Sequence, residues 1–447
     1  MELKKFTKEL IEKTKDLVDD IELCISTGKS LEYEIKNKKI IVSLSLDNSS
    51  IGIRVLKEGK LGSSAITSLD VDEGLIAVKK ALTNTKPTVL KQFSKIKNPP
   101  EIGNFDQAIL DLFDNPVILR DIAEEMQKRI YDKANELESF EGAVVISYNE
   151  RLIATKNGLS FSKETSFNAF AEINSIDFDF VINYSKPEDF EDVKNLGVKV
   201  YDNLLKDSVT PAELDVKDKE LEVVLDPRCF ESILRTLLGE KVYGSAKEHG
   251  LTELEIGDLV ASKILTIIDT GIKEELLSSS PTDDEGNSSK ENILIENGVL
   301  NTFLYDAVSA LKANKKPTGN GIRRPILAED CAEAPIRESL RGLYVKPGNV
   351  SFKEMISNIN KGIYVKTLMG LHGADKSRAS FVAGIHIGKS IEQGKFVRLL
   401  APGAWNLSGN LFDLDGKKGI LKDIELTKET LNTGSAILPW LKVKFFF

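Results

Sequence analysis

The 447-residue sequence predicts an α+β protein, in which helices on an antiparallel sheet are followed by a mainly antiparallel, sheet-rich C-terminal domain. Two observations support this class. In the first half, charged amphipathic helices flank runs in which apolar and polar residues alternate, as they do in half-buried strands. In the second half, strand-like runs predominate and helical patterns are sparse, which is typical of layered α+β domains.

The first half divides into an N-terminal α+β domain at 1–85, a linker at 86–106 and a middle α+β region at 107–210. The linker contains three prolines and several lysines, a composition that indicates a surface crossing. The predicted elements are helices at 4–18, 71–82, 117–137 and 189–205, strands at 21–25, 31–35, 51–56, 61–67, 142–146 and 152–155, and two long strands within 160–184.

The C-terminal domain, 211–447, is organised around a central helix predicted at 228–238. Asp226 can cap this helix, and Pro227 suits its first turn. A β-branched run at 258–269 predicts a buried strand. The other predicted elements are strands at 221–225, 342–345, 362–365, 380–388 and 438–447, a helix at 352–359, and a hairpin at 292–300 that turns at Asn297-Gly298.

Composition limits the classes of function. The net charge of −9 argues against a nucleic-acid surface, because such a surface needs concentrated basic residues. The N-terminus lacks an apolar signal region, and no apolar run approaches membrane-spanning length. Cys24, Cys229 and Cys331 are odd in number and far apart, as expected of reduced thiols rather than disulfides or metal ligands. We therefore expect a cytoplasmic protein that does not contact membranes or nucleic acid.

Five short motifs occur in order along the second half of the chain. They are Val223-Val224-Leu225, Asp283-Asp284-Glu285-Gly286, Leu294-Ile295-Glu296-Asn297-Gly298, Pro317-Thr318-Gly319-Asn320-Gly321 and Gly362-Ile363-Tyr364-Val365. In this order and spacing the series resembles the TldD/PmbA family, which is also labelled a modulator of DNA gyrase and contains TldD/TldE-type metalloproteases. The first half of the chain fits the resemblance more loosely.

The resemblance implies two types of member. TldD-type chains carry zinc on a His-Glu-x-x-x-His motif in the central helix and use a cysteine near the C-terminus, whereas PmbA/TldE-type chains lack the motif. Here Arg235, Thr236 and Glu240 stand at the motif positions, and no cysteine follows Cys331. Arginine is permanently cationic and has no lone pair for a metal. We expect no cofactor in this chain, zinc in a TldD-like partner, and an Arg235–Glu240 ion pair in the vacated space.

The acidic motif Asp283-Asp284-Glu285-Gly286 has two interpretations. It can be a carboxylate cluster for metal or acid–base chemistry, or a type I turn with Asp at the first position and Gly at the fourth. Adjacent residues cannot all converge on one ion, so the turn is favoured. The resemblance places the turn near the peptide cleft without making it a metal site.

Two other segments are candidates for peptide contact. Thr318, Asn320 and Arg323 lie in a glycine-rich loop that lacks the spacing of a phosphate-binding loop. Glycines there permit close backbone approach, and arginine can bind a carboxylate, but an ordinary surface loop fits equally well. Of the three histidines, His249, His372 and His386, none has zinc-ligand spacing. His372 is the most interesting, because it lies in a glycine-rich loop.

The function expected from this resemblance is that of a non-catalytic, TldE/PmbA-like subunit of an intracellular TldD/TldE-type zinc metalloprotease. The expected substrate is an unfolded or extended peptide, which can add as a strand to a sheet edge. The expected partner is a TldD-like chain, or a second copy in a homodimer. The alternatives are an independent hydrolase that uses His372 with carboxylates near Asp283 or Asp375, and a binding protein for gyrase or DNA.

Overall fold

The structure, a computed structural model, describes residues 2–36, 38–205, 207–215, 219–323, 334–412 and 419–447, with the side chains of 45–48 excepted. It divides the chain into two compact units, each assembled from separate stretches. Unit 1 comprises Met1–Asp202, Gly271–Lys290 and Leu304–Ser339, and unit 2 comprises Asn203–Thr270, Glu291–Phe303 and Leu340–Phe447. Cys24 and Cys229 are free thiols, whereas Cys331 lies outside the described residues.

The elements follow one another along the first half of the chain with strands that are unusually long. In order they are α1 (Glu2–Thr14), β1 (Asp20–Lys36), β2 (Lys39–Lys57), β3 (Lys60–Ile66), α2 (Val71–Thr83), β4 (Lys86–Pro87), α3 (Gln107–Asp114), α4 (Val117–Lys133), β5 (Phe140–Thr155), β6 (Gly158–Ile173), β7 (Asp177–Asn183), α5 (Glu191–Lys194) and α6 (Leu196–Asp202).

The second half contains shorter elements. In order they are β8 (Ser208–Val209), β9 (Glu220–Leu225), α7 (Pro227–Leu237), α8 (Gly239–Val242), α9 (Gly244–Glu248), β10 (Ile267–Thr270), β11 (Glu291–Glu296), β12 (Val299–Leu300), α10 (Ala307–Lys312), β13 (Gly321–Arg323), β14 (Ile336–Glu338), β15 (Gly342–Val345), α11 (Phe352–Ser357), β16 (Lys361–Met369), a 3-10 turn (Leu371–Gly373), β17 (Ser380–Glu392), β18 (Lys395–Leu400), β19 (Asn406–Asn410), β20 (Glu425–Asn432) and β21 (Ala436–Phe446).

Unit 1 is built on an antiparallel sheet whose described strands run in the order β4-β3-β2-β1-β5-β6-β7. Helices α1 and α2 cover part of this sheet because their apolar residues recur at helical spacing, and Phe6, Leu10 and Val78 pack with Ile21 and Ile53 of the strands. Helix α4 packs against β1 and β5. The predicted helix-on-antiparallel-sheet arrangement is confirmed.

The sheet of unit 1 joins segments that the sequence pattern separated. Strand β1 pairs with β5 from Glu22 opposite Thr155 to Ile35 opposite Gly142, so the ranges 1–85 and 107–210 share one sheet. Each of β1 and β5 is a single strand where two were predicted, because ladder hydrogen bonds continue through the polar residues between the apolar runs. The helix predicted at 189–205 is two short helices, α5 and α6.

Unit 2 contains a mixed sheet, and its described strands run in the order β12-β11-β10-β15-β21-β9-β16-β17-β18-β8. Strand β19 pairs with β17, and β20 pairs with β21. Most neighbours are antiparallel, but β15 and β21, β9 and β16, and β8 and β18 are parallel. The predicted sheet-rich, mainly antiparallel C-terminal domain is confirmed.

Helix α7 directly follows β9 and matches the central helix predicted at 228–238. The Asp226 carboxylate accepts a hydrogen bond from Arg228 N (2.9 Å), and Pro227 occupies the first turn. The apolar stripe that includes Phe230, Ile233 and Leu234 is fully buried, and the helix packs against β16 and β21. This packing fixes the end of α7 inside unit 2.

Two predicted strands of this region have different outcomes. The hairpin at 292–300 is confirmed, with Asn297 at φ 49° and Gly298 at φ 80° between β11 and β12. The long strand predicted at 258–269 is wrong, because β10 covers only Ile267–Thr270. Its partners, β11 and β15, pair only with those four residues, and Leu259 and Ile264 are half exposed. A β-branched run therefore did not form a strand along its whole length, because most of it has no neighbouring strand in β11 or β15 to pair with.

In the part of the chain that the structure describes, no helix is both long enough and apolar enough to cross a membrane.

Candidate functional site

Arg235 lies in the last turn of α7 and binds four acceptors within unit 2. Its Nε donates to Glu231 Oε1 (2.7 Å), one helical turn earlier. Its Nη2 donates to the carbonyls of Arg341 (3.0 Å) and Ser435 (2.8 Å), and Nη1 donates to Leu340 O (3.4 Å). A planar guanidinium with five N–H donors can satisfy such a set. Arg235 therefore connects α7 to the segments that precede β15 and β21.

The carboxylate of Glu231 is the anionic part of this arrangement, which we call the Arg235 site. Glu231 is 8% exposed. Its Oε1 also accepts from Ser435 Oγ (2.5 Å), and its Oε2 accepts from Thr433 Oγ1 (2.6 Å). A buried charge needs both a counter-ion and hydrogen bonds, and Glu231 has both. The Arg235 site thus consists of a cation, a carboxylate and backbone carbonyls that satisfy one another.

The expected ion pair between Arg235 and Glu240 is wrong. Arg235 pairs with Glu231, whereas Glu240 Oε1 lies 3.7 Å from Lys376 Nζ. Thr236, at the glutamate position of the motif, donates its hydroxyl to Ser232 O (2.7 Å). The physical reason is spacing: residues four apart face each other on a helix and residues five apart do not.

The residues at the motif positions do not fit a zinc ion. Arg235 has no lone pair to donate, and its charge would repel a metal cation. Within the described ranges, no group of three or more His, Cys, Asp or Glu side chains is arranged to hold a metal. His372 lies exposed in the 3-10 turn, and the nearby Asp375 accepts from Ser377 Oγ (2.6 Å) and Arg378 N (3.1 Å). The described residues at the motif positions and around His372 therefore do not form a zinc site.

Unit 1 contains a second polar site, a buried ion cluster formed by Glu22, Arg54, Arg151, Asp284, Glu285 and Arg323. Glu22 on β1 and Arg54 on β2 are directly opposite each other in the ladder. Arg54 donates Nε to Glu22 Oε1 (2.7 Å) and Nη2 to Glu22 Oε2 (2.6 Å). Arg323 Nη2 adds a third bond to Glu22 Oε1 (3.1 Å). Bidentate geometry of this kind stabilises a buried pair.

The acidic motif begins with a structural turn, as predicted. Asp283 Oδ1 accepts from Glu285 N (3.0 Å) and Asn287 N (2.8 Å), and its Oδ2 accepts from Gly321 N (3.0 Å). Gly286 N closes the turn on Asp283 O (3.2 Å), and Gly286 has a φ of 77°, a conformation that favours glycine. The Asp283 carboxylate therefore stabilises the backbone of this loop.

The next residue, Asp284, is ion-paired across unit 1. It makes a short contact with Arg151 Nη2 of β5, and its Oδ2 accepts from Arg323 N (2.5 Å). Burial alone would raise the pKa of the Asp284 carboxyl, but the Arg151 guanidinium and the Arg323 amide hold it below its ordinary value. Asp284 therefore stays ionised and anchors the loop to the sheet.

Glu285 is the carboxyl group of the cluster whose burial is least offset by nearby positive charge. Its Oε1 accepts from Arg54 Nη2 (3.2 Å), which Glu22 binds more closely, and its Oε2 accepts from Ala307 N (2.7 Å). Burial raises the pKa of Glu285 to about 8; Arg54 opposes this rise, and the carboxylates of Asp283, Asp306 and Glu22 reinforce it. Near neutral pH, Glu285 is therefore mainly a protonated, buried acid.

The loop residues predicted to contact peptide are buried in unit 1. Thr318 Oγ1 bonds both the N–H (2.8 Å) and the carbonyl (3.1 Å) of Tyr305, and Asn320 Nδ2 donates to Ser339 O (2.9 Å). Arg323 belongs to the buried ion cluster. Peptide contact by these residues and by His372 stays a prediction.

The sequence interpretation missed Glu22, Arg54 and Arg151, which hold the acidic turn. A signal was present, because Glu22 lies between Ile21 and Leu23 and Arg54 lies between Ile53 and Val55. A charged residue inside an apolar strand is rarely buried without a partner. The structure brings Asp283, Asp284, Glu285, Gly286 and Arg323 together in unit 1, and it places Arg235, Thr236, Glu240 and His372 in unit 2.

The family model of the PmbA/TldA metallopeptidase C-terminal domain matches residues 218–446, and that of PmbA/TldA metallopeptidase domain 1 matches residues 21–85. The chain therefore belongs to the PmbA/TldD metallopeptidase family, and the resemblance seen in the five motifs is confirmed.

Similar proteins are found among archaea. An uncharacterized protein of Methanocaldococcus jannaschii is 26% identical over 91% of this chain and 95% of its own length. A metalloprotease of the same organism is 25% identical, over 94% of this chain and 93% of its own. The crystal structure of TldE from Thermococcus kodakarensis superposes with a TM-score of 0.84 at 20% identity and 99% coverage of both chains, which shows a shared fold.

Proposed function

We propose that this chain is the TldE/PmbA-type, non-catalytic subunit of a TldD/TldE-type metalloprotease that acts on unfolded or extended peptides. The single observation that supports this proposal is the Arg235 site. At the position where the resemblance places the first zinc ligand, a guanidinium is fixed by Glu231 and three backbone carbonyls. A permanent cation held in this way cannot be replaced by a metal through a small side-chain movement.

In this proposal, peptide-bond hydrolysis belongs to a TldD-like partner chain. The Arg235 site then takes the place of a metal site and, without a metal, keeps the end of α7 attached to the segments that precede β15 and β21. Because a buried carboxylate needs a nearby cation, Arg235 supplies the positive charge that Glu231 requires. The partner is a TldD-like chain rather than a second copy, since two copies would both lack zinc ligands at 235–240. The complex is cytoplasmic.

The proposal is tested by measuring cleavage of an unfolded peptide by this chain, by a TldD-like partner and by their mixture. We expect cleavage only with the mixture, and complete loss of cleavage when a chelator is added. Cleavage by this chain alone, or equal rates for the partner with and without this chain, would overturn the proposal. His372→Asn tests the predicted peptide contact of that residue separately: the rate of the mixture should fall if His372 contacts the peptide, and an unchanged rate would show that it does not.

A further inference from the structure

Unit 1 contains a cavity of about 300 Å³ at the edge of the buried ion cluster. Its inner end is formed by Glu22, Arg54 and Glu285, which are at most 7% exposed. This volume is at the lower end of the range for small-molecule sites, and it suits a ligand the size of one amino acid. None of the lining residues belongs to the Arg235 site, and binding of a ligand in this cavity is an inference beyond the proposed function.

The inner end of the cavity can accept a hydrogen-bond donor that carries positive charge. Arg54 binds both oxygens of Glu22 at 2.6–2.7 Å but reaches Glu285 only at 3.2 Å. A carboxylate offers about four acceptor positions, and Glu285 uses two of them, for Arg54 and Ala307 N. An ammonium group that enters the cavity would meet the remaining positions in a setting where water is largely excluded.

The walls of the cavity are mainly apolar, with Gln92, Ser94 and Asn287 as their polar members. Leu90 and Phe93 are buried and pack with Leu56, whereas Val89 and Leu311, which also line the cavity, are 44% and 53% exposed. A single exposed apolar residue needs no explanation, but two on the walls of one concave site provide apolar area for a ligand to cover. The buried part of a ligand beyond its ammonium group is therefore hydrocarbon.

The outer end of the cavity is basic. Lys91, Lys95 and Lys315 all line it, and all three are exposed. Exposed ammonium groups attract an anion weakly and in a salt-dependent way, because solvent screens them. The cavity thus has an acidic inner end, apolar walls and a basic mouth, and this sequence of charges matches a zwitterion with a hydrocarbon side chain.

We propose that this cavity binds a free amino acid with an apolar side chain. The ammonium group of the ligand binds Glu285, its side chain packs between Phe93 and Leu311, and its carboxylate faces the lysines at the mouth. Arg54 does not bind the ligand carboxylate, because Glu22 already holds its guanidinium.

The first test is isothermal titration of the full-length chain with L-leucine, L-leucinamide and 4-methylpentanoate. We expect saturable binding of L-leucine at one site per chain. Loss of the ammonium group in 4-methylpentanoate should weaken binding by about tenfold or more, since a charged hydrogen bond is lost. Leucinamide, which lacks the carboxylate, should lose only a few-fold because exposed lysines contribute little. Equal binding of 4-methylpentanoate and L-leucine, or no binding of L-leucine, would overturn the proposal.

Substitutions locate the site. Leu311→Ala removes exposed apolar area from the cavity wall and should weaken L-leucine binding several-fold. Ile76→Ala is the matched control, because Ile76 is an exposed residue of α2 in the same unit that does not line the cavity. Both variants are expected to fold, since neither side chain is buried. Equal affinities for the two variants would contradict the assignment of the cavity.

Proton release identifies the carboxyl that binds the ammonium group. Glu285 lies near Arg54, Asp283, Asp306 and Glu22, and with a pKa of about 8 it holds a proton at neutral pH. Ammonium binding favours the ionised carboxylate, so a proton leaves and the binding enthalpy depends on the ionisation enthalpy of the buffer. We expect this dependence in the native chain and its loss in Glu285→Gln. A binding enthalpy that is the same in phosphate and Tris would show that Glu285 is not the partner of the ammonium group.

Discussion

At the residue scale, Arg235 connects groups that are far apart in the sequence, since its acceptors belong to α7, to the residues before β15 and to the turn before β21. Arg235→Ala should lower the free energy of unfolding by about 2–3 kcal/mol, because Glu231 keeps its burial and loses its counter-ion. This value is below that of a fully buried pair, since the Arg235 side chain is 24% exposed. Urea unfolding measures the loss.

Arg235→Lys is the matched variant for this prediction. Lysine keeps the charge near Glu231 but cannot bond three carbonyls in a plane, so its stability should lie between those of the native chain and Arg235→Ala. The double variant Arg235→Ala with Glu231→Gln should recover part of the loss, because the buried charge is then removed as well. If Arg235→Ala is as stable as the native chain, the Arg235 site does not hold these segments together.

The raised pKa of Glu285 makes the stability of unit 1 depend on pH. The folded state holds this proton more tightly than the unfolded chain, so the stabilisation is fully present below the ordinary value of 4.5 and is lost as pH rises through about 8. Compared with Glu285→Gln, the native chain should lose stability across this window, with a maximum slope of about 1.4 kcal/mol per pH unit.

The measurement is urea unfolding of both proteins at several pH values, with Asp284→Asn as the control. The pKa of Asp284 is held below its ordinary value, so its contribution is present above pH 3.8 and is lost only as pH falls. The difference between the native chain and Asp284→Asn should therefore be constant through neutral pH. A native chain that runs parallel to Glu285→Gln across the window would show that Glu285 titrates normally.

In the acidic motif, the local turn was predictable from the sequence and the ion-pair partners were not. The turn geometry of Asp283 and Gly286 was predictable, since it depends on residues adjacent in the sequence. The partners of Asp284 and Glu285 were not, because Arg151 and Arg54 are more than a hundred residues away, and alternation along a strand does not reveal which strand pairs with it.

At the element scale, the β11–β12 hairpin depends on its second turn residue. Gly298 has a φ of 80°, and a Cβ there would lie 2.4 Å from Ala261 O and 2.8 Å from Ser262 O. Gly298→Ala should therefore destabilise unit 2 by about 2 kcal/mol or more, as both backbone strain and a clash with backbone atoms contribute. Thermal or urea unfolding checks the value.

Gly250→Ala is the matched control for the hairpin. Gly250 lies in the same unit with a φ of 67°, but a Cβ there meets no atom within 4 Å. Only the strain of the left-handed conformation remains, so the loss should be about 1 kcal/mol. Equal losses for the two variants would mean that contact with Ala261 and Ser262 contributes nothing.

Elements that neighbouring residues encode were predicted correctly, whereas the extent of elements that depend on strand pairing was not. The capped helix α7 and the Asn297-Gly298 hairpin are encoded by neighbouring residues. The run at 258–269 has strand composition, but only the four residues opposite both β11 and β15 form β10. Composition therefore identified strand-forming residues, whereas the length of each strand was decided by partners elsewhere in the chain.

At the scale of the whole molecule, the fold class was predictable and the division of the chain was not. Proline-rich linkers and changes of composition mark boundaries between contiguous segments. Each compact unit instead combines three stretches, so the acidic turn at 283–286 belongs with β1, β2 and β5 although it lies between strands of unit 2. A family resemblance gives the order of the motifs along the chain. It does not show which non-contiguous stretches combine into each unit.

Because unit 1 combines three separate stretches of the chain, a fragment that contains only the first stretch should respond differently to substitution of Arg151. Fragment 1–202 retains β1 to β7 but lacks Asp284, the carboxylate that pairs with Arg151. In the full chain, Arg151→Met should weaken protection of the β5 amides by about 2–3 kcal/mol, because Asp284 loses its guanidinium partner while the pair is only partly exposed. In the fragment, where Asp284 is absent, the same substitution should change protection by less than about 1 kcal/mol. Native-state hydrogen exchange of β5 measures both effects, and equal losses in the two proteins would show that the distant segment does not stabilise the N-terminal sheet.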